Sequence, residues 1–421
     1  MLIKLTIENF LSIKDKVVLD LSATSIKELE SDNLIHTHSS KLLKCLAIYG
    51  ANSSGKSNIL KAILFIKKFV LNSSKDQSQD FIPVTPFLLN TRTEERPSFF
   101  EMEFLLDGVT YRYGFEVDSN YVHKEYLHYT KINKEYNYFS RSQQEITVDN
   151  KFEEGKGLES KTRSNTLFLS VTSQLNGPIS MKITNWLHNI KFIFDQNNNR
   201  FFHNHSMKLF EKPEFANLIR RFLNRADLGF TNIESIRMSV PPDAFTDATK
   251  ELREFLTFEI KKENNILFTE HQKFDENEKF VSHEYFNFLE NESQGTQKYF
   301  ALSGMILDSL INGNVIFIDE FDAKWHPFLC ESIIKLFNSK NNNIKGSQLI
   351  FVAHNTSFLN KTLFRRDQII IADKNPRLGN TTIESLAQKN VRSDEAYEKK
   401  YLQGDYFGVP KIADFNLFDP Y

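Results

Sequence analysis

Apolar residues recur along this chain with two different periods, and the switches between them mark its parts. Ile3, Leu5 and Ile7 alternate with polar neighbours, and Val17-Val18-Leu19-Asp20-Leu21 follows after the polar Lys14-Asp15-Lys16. A period of two puts one face of a strand on a core, so two strands joined by a short loop are expected. Residues 22–44 read as polar and irregular. Cys45-Leu46-Ala47-Ile48-Tyr49 has no charged position, as a doubly buried strand requires, and Ile59, Ile63, Ile66 and Val70 then recur at helical spacing. From residue 99 to residue 129 the period returns to two, with Phe100, Met102 and Phe104 before Asp107-Gly108 and Tyr111, Tyr113 and Phe115 after it. Asp-Gly between alternating runs is a hairpin signal, and Asp118-Ser119-Asn120 opens a further run, so an antiparallel sheet is predicted here.

The second half mixes its signals. Helices are expected at 179–189 and 214–226, a break at Pro241-Pro242, another helix at 248–256, and a hairpin pairing 258–260 with 266–268 across Asn264-Asn265. A strand over 280–289 leads into Ser293-Gln294-Gly295-Thr296 and a helix from about 297 to 310. Val315-Ile316-Phe317-Ile318 reads as a buried parallel strand ending in Asp319-Glu320; 327–337 is helical, and a second buried strand over 348–353 ends at His354. There is no internal repeat and no sustained heptad, which excludes a long coiled-coil arm.

Between the first buried strand and its helix stands Gly50-Ala51-Asn52-Ser53-Ser54-Gly55-Lys56-Ser57, a full G-x-x-x-x-G-K-S phosphate loop, which with Asn58 is expected to bind a nucleotide. Strand, loop and helix are the context such a loop needs: glycines let the backbone wrap phosphates, and free N–H groups of the helix N-terminus face the anion. Lys56 would reach the β- and γ-phosphates, and Ser57 would place its hydroxyl on magnesium. Asp319 would share that metal with Ser57, Glu320 would orient or deprotonate the attacking water, and the His354 imidazole could contact the γ-phosphate. His203-Asn204-His205 is read as three neighbours without a metal fold, and Lys67-Lys68, Arg220-Arg221 and Arg365-Arg366 as solvated basic pairs.

Composition narrows the setting more than the chemistry. At 421 residues the chain has room for two or three domains, or for one large α/β domain with an insertion. With 52 Lys and Arg against 54 Asp and Glu the net charge is -2, which argues neither for nor against nucleic acid. Cys45 and Cys330 are too few for a disulfide framework or a thiolate metal site, so a reducing compartment is expected. No apolar run approaches a membrane span and the N-terminus starts as a strand without the regions of a signal peptide, which reads as a cytoplasmic protein without membrane contact.

These motifs together resemble the ABC-class ATPases of the SMC/RecF/OLD group, and most closely the bacterial AAA-family ATP-binding proteins linked to phage defence and restriction loci. Ile3-Lys4-Leu5-Thr6-Ile7-Glu8-Asn9-Phe10 resembles the group's first strand, Gly50 to Ser57 its Walker A loop, and residues 316–320 its Walker B strand. Ser293-Gln294-Gly295-Thr296 resembles a shortened signature, Phe321-Asp322 the D-loop, His354 the switch histidine, and Tyr401-Leu402-Gln403-Gly404-Asp405-Tyr406-Phe407-Gly408-Val409-Pro410 a tail element of the defence-associated subgroup. The signature departs from the transporter Leu-Ser-Gly-Gly-Gln, and neither Gln77 nor Gln79 can be assigned as the Q-loop ligand. The resemblance implies an α/β fold, an ABC-type ATPase head with an antiparallel β lobe and a mainly helical insertion, divided at 1–150, 151–275, 276–390 and a tail of 391–421. It implies hydrolysis of ATP with Mg2+ and a homodimer whose composite sites use Ser293, Gly295 and Thr296 of the other copy. It further implies a separate effector nuclease, and leaves open a DNA-repair role or a scaffold with little turnover. The overcoming-lysogenisation-defect proteins carry a Toprim nuclease after the ATPase, and none is expected within these residues. The aromatic tail residues Tyr401, Tyr406 and Phe407 are read either as interface anchors or as packing back on the core.

Overall fold

The run without a polar position forms the middle of a sheet. In the computed structural model, which describes residues 1–410 except 39, 76, 78, 79, 133, 195–198, 238–264, 324 and 390, the strand Cys45–Tyr49 is buried at every position. It pairs in parallel with Gln348–Val352 on one side and Ile369–Lys374 on the other. Val315–Ile318 lies beyond Gln348–Val352, Lys191–Ile193 beyond that, and Thr381–Ser385 closes the far edge antiparallel. Parallel strands point the same way, so the residues after Tyr49, Ile318 and Val352 emerge on one edge.

A second sheet of seven antiparallel strands carries the alternating segments, in the order Glu145–Val148, Lys134–Ser142, Val122–Lys131, Val109–Val117, Ser98–Leu106, Leu2–Glu8, Val17–Asp20. The Asp107-Gly108 turn joins its strands with Leu106 opposite Val109, as predicted, both turn residues having positive φ (47° and 78°). The helix Lys56–Asn72 shares one core cluster with both sheets. Its Phe65 ring lies 4.9 Å from Phe100, its Phe69 ring 5.7 Å from Phe115, while Leu46 and Ile48 of the parallel sheet belong to the same cluster. Phe168–Gln174 and Pro178–Asn189 pack there too, burying Phe168, Leu169, Ile183 and Leu187. Each such buried side chain stabilises the fold by about 1.5–3 kcal/mol relative to exposure, which holds the loop helix rigidly against the parallel sheet.

The chain divides into two units, Met1–Phe194 with Leu310–Tyr421, and Asp195–Ser309. These boundaries differ from those expected at 150 and 275. Residues 151–194 join the first unit because the helices within them bury their apolar faces on Lys56–Asn72, and residues 276–309 fall in the second. Among its described residues the second unit has the helices Asn199–Phe210, Pro213–Asn224, Phe288–Asn291 and most of Gln294–Asn312, and beside them an antiparallel sheet of Asn232–Arg237, Asn265–Phe274 and Phe280–Asn287. Ile266, Leu267 and Phe268 pair with Ile236, Ser235 and Glu234; the hairpin expected with 258–260 and the helix expected at 248–256 lie outside the described residues. Residues 22–44 are more regular than they read, with a short helix Glu30–Asn33 and a two-stranded pair Leu34–His36 and Lys41–Leu43. Among the described residues no helix is long and apolar enough to cross a membrane.

Candidate functional site

The phosphate-loop residues leave the central strand through a backbone that only glycine permits at its two ends. Gly50 has φ 154° and a Cβ placed there would lie 2.2 Å from the Ala372 carbonyl oxygen; Gly55 has φ 95° and its Cβ would lie 2.0 Å from Thr381 Oγ1 and 2.6 Å from Ser12 Oγ. The loop tip, Asn52 and Ser53, is exposed, and Ser53 itself is left-handed at φ 65°. Ser54 is buried, its carbonyl accepts the Thr381 hydroxyl at 2.8 Å, and its own Oγ has no hydrogen-bond partner. The Ser12 and Thr381 hydroxyls join at 2.7 Å, and the Asn58 amide donates to Ser12 at 2.8 Å. Asn58, expected on the nucleotide, thus spends its side chain on clamping the loop.

From Gly55 the chain enters the helix Lys56–Asn72 with no side chain capping its first N–H groups, which leaves them for an anion. Lys56 is buried and donates to the carbonyls of Gly50 at 2.7 Å and Ala51 at 2.8 Å. Burial lowers its pKa to about 8, against the opposing charges of Asp319 and Asp322. Ser57, next on the helix, is half-buried.

Two strands supply the acidic side. Asp319 follows Val315–Ile318, its N–H bound to Ile193 O at 2.9 Å, its side chain largely buried and its Oδ1 accepting the Glu320 N–H at 3.1 Å. The chain turns at Glu320, whose φ of 48° costs a non-glycine residue about 1–2 kcal/mol. Asp322 then accepts the N–H groups of His354 (2.9 Å) and Asn355, tying the end of Gln348–Val352 to the turn after Asp319. Desolvation, followed by the Lys56 charge, pushes the His354 pKa below its ordinary value, while Asp322, Glu320 and Asp319 oppose that shift. Lys56, Asp319, Glu320, Asp322 and His354 therefore occupy one electrostatic neighbourhood on the edge where the parallel strands end. Ser57 and Asp319 are hard oxygen donors of the kind magnesium takes, so the residues present fit that ion.

Ser293, Gly295 and Thr296 belong to the second unit, at the start of Gln294–Asn312. Ser293 Oγ accepts the Thr296 N–H at 3.1 Å and meets the Thr296 hydroxyl at 2.9 Å, an N-cap built by the motif itself. Gly295 has room around it, the nearest atom to an added Cβ being Ser293 Oγ at 3.6 Å. Gln77 has its N–H on the Asp80 carboxylate at 2.5 Å, and Gln79 lies outside the described residues. Sequence reading missed Ser12 and Thr381, since no spacing rule connects residues 369 positions apart. It named Asp322 without its role, which its place two residues after Glu320 hinted at.

A family profile described as "AAA domain, putative AbiEii toxin, Type IV TA system" matches residues 45–360, a span that contains the loop, both acidic residues and His354. The chain belongs to this family. No curated protein matches it. Among solved structures this family member is similar to the SMC head domain from Thermotoga maritima, at 14% identity and TM-score 0.40 over 91% of this chain and 98% of that one. It is similar to the SmcHead bound to the C-winged helix domain of ScpA, at 16% identity and TM-score 0.44 over 91% and 97%. The recombination mediator protein RecF with ATPrS follows at 12% identity and TM-score 0.32 over 91% and 98%. At such low scores these likenesses add nothing to what the strand order already shows.

Proposed function

We propose that the protein binds ATP at residues 50–57 and hydrolyses it to ADP and phosphate. The observation that carries this reading is the meeting of Lys56, Asp319, Glu320 and His354 beside an uncapped helix N-terminus. Lys56 would exchange its two carbonyl partners for phosphate oxygens, the N–H groups at the start of Lys56–Asn72 would hold the same anion, and Glu320 would take a proton from the attacking water. Bound magnesium, held by Ser57 and Asp319, would neutralise charge on the phosphates. His354, disfavoured as a cation, would serve as a neutral hydrogen-bonding group at the γ-phosphate position.

The uncrowded Gly295 and the exposed Ser293 and Gln294 beside it support a homodimer in which Ser293, Gly295 and Thr296 of one copy close over the loop of the other. The family description, with its toxin and TA system, supports a protein that works with a separately encoded partner. We read it as the sensing or gating subunit of an anti-phage system whose effector nuclease is another chain.

Calorimetry of ATP binding tests the site. Wild type should bind, and Lys56→Ala, folded by circular dichroism, should not; equal affinity in the two would remove the loop assignment. For the defence role, cells carrying this gene with its neighbour should resist phage while either gene alone does not; protection by this gene alone would remove the division of labour.

A further inference from the structure

The last described residues return to the phosphate loop. The helix Tyr397–Leu402 is followed by a turn through Gly404, and Tyr401 and Tyr406 are buried while Phe407 is 61% exposed. The Tyr401 ring meets edge-on the ring of Tyr49, the residue before Gly50, at 6.1 Å. Its hydroxyl donates to the Gly408 carbonyl at 2.9 Å. Gly408, at φ 69°, packs so closely that an added Cβ would stand 2.8 Å from Ile371 Cγ2, 3.1 Å from Ala372 O and 3.3 Å from Gly50 Cα. On its other side the tail helix reaches the second half of the site. The Thr356 hydroxyl donates to Glu398 at 2.8 Å, and the Tyr49 hydroxyl donates to Asn355 O at 3.2 Å, one residue beyond His354.

Gly50 is thereby held at two points of its backbone: its carbonyl by Lys56, its Cα by the close packing of Gly408. Binding of the β- and γ-phosphates takes two of the three ammonium donors, so Lys56 can keep at most one of its two carbonyls. When the Gly50 carbonyl is the one released, the packing of Gly408 and of Ala372 keeps the first residue of the loop in place. We propose that the segment 397–408 is a latch on the phosphate loop, with Tyr401 a positioning residue that preserves the loop while Lys56 changes partners. This rests on the nucleotide reading above, and it assigns a part to the tail other than an interface anchor.

The test is Tyr401→Phe, which keeps the ring on Tyr49 and removes the hydroxyl. The Kd for ATP and the KM should both rise about three- to tenfold, the worth of one hydrogen bond, with kcat at saturation within about twofold and the nucleotide-free Tm within about 2–4 °C, since Lys56 still holds Gly50. Gly408→Ala, which wedges a methyl against Gly50 and Ile371, should do the same, and Phe407→Ala should do neither. In hydrogen exchange, ATP should slow the amides of 397–408 in wild type and leave them unchanged in Lys56→Ala. Unchanged Kd and KM in Tyr401→Phe, a fall in Tm that accounts for the lost affinity, or tail amides indifferent to ATP would each overturn the latch. Failure of wild type to bind ATP at all would instead sink the site reading itself.

Discussion

Lys56 and Arg141 are both buried cations of the first unit, 5% and 3% exposed, and they are provided for in opposite ways. Arg141 donates to the carbonyls of Gln143 and Thr166, both at 2.6 Å, reaches those of Arg163 and Ser164, and lies 3.7 Å from the carboxylate of Glu125. Glu125 in turn accepts from Tyr113 Oη at 2.9 Å and from the N–H groups of Phe168 (2.6 Å) and Leu169 (3.0 Å) at the start of a helix. Four hydrogen bonds and an ion pair hold that planar fork, so the network fixes the lobe. Lys56 has two carbonyls of its own loop and, among the described residues, no ion pair; Asp319 and Asp322 act on it only through their field. A flexible stem with an incompletely satisfied head is suited to changing partners. A buried charge held loosely on a strained loop is therefore where binding chemistry is to be sought, and one held on all sides is where stability resides.

The largest expected effect separates the two cations. Arg141→Ala leaves Glu125 charged and unpaired in the interior, which should cost about 3–5 kcal/mol of stability, read as a lower denaturant midpoint. Lys56→Ala should leave that midpoint nearly unchanged; a comparable loss there would erase the distinction.

Next comes the acidic side of the site. Glu320→Gln should retain ATP while hydrolysis falls by about two orders of magnitude or more, the scale of a lost general base, whereas Asp319→Asn should raise the magnesium concentration needed for turnover. Phosphate release at the wild-type rate in Glu320→Gln would remove Glu320 from the mechanism.

The subtlest effect is in pH. The Lys56 pKa of about 8 lies below its ordinary 10.5, so between these values the folded protein binds fewer protons than the unfolded chain and this group alone makes stability rise with pH. Phosphate binding favours the protonated ammonium, so ATP affinity should move the other way. It should fall above pH 8 with a limiting slope of about tenfold per unit for one proton taken up, measured by calorimetry in buffers of different ionisation enthalpy. A flat affinity profile from pH 7 to 9.5 would mean that Lys56 is not the group that meets the phosphates.

How far these features were legible depended on how local their causes are. The phosphate loop, the hairpin at Asp107-Gly108 and the helix Pro178–Asn189 each rest on a few consecutive residues, and their patterns sufficed to find them. The pairing of Ile266, Leu267 and Phe268 with Ile236, Ser235 and Glu234 was not legible, because an apolar run carries no record of its partner. The domain boundary near 150 failed for a similar reason, since nothing in residues 168–189 announces that they pack on Lys56–Asn72.

By itself the sequence determined the elements and the chemistry at their ends: periods of two and 3.6 follow from backbone geometry, and a loop of fixed residue types between strand and helix needs no distant information. Only the tertiary structure decided which strands stand side by side, and so brought Asp319 and His354 into the field of Lys56, locked Gly55 under Ser12 and Thr381, and laid Tyr401 on Tyr49 and Gly408 on Gly50. Apart from Ser12 with Gly55, those contacts join residues some 260 to 370 positions apart, where chain connectivity imposes nothing and the choice falls to close packing and to the pairing of buried polar groups.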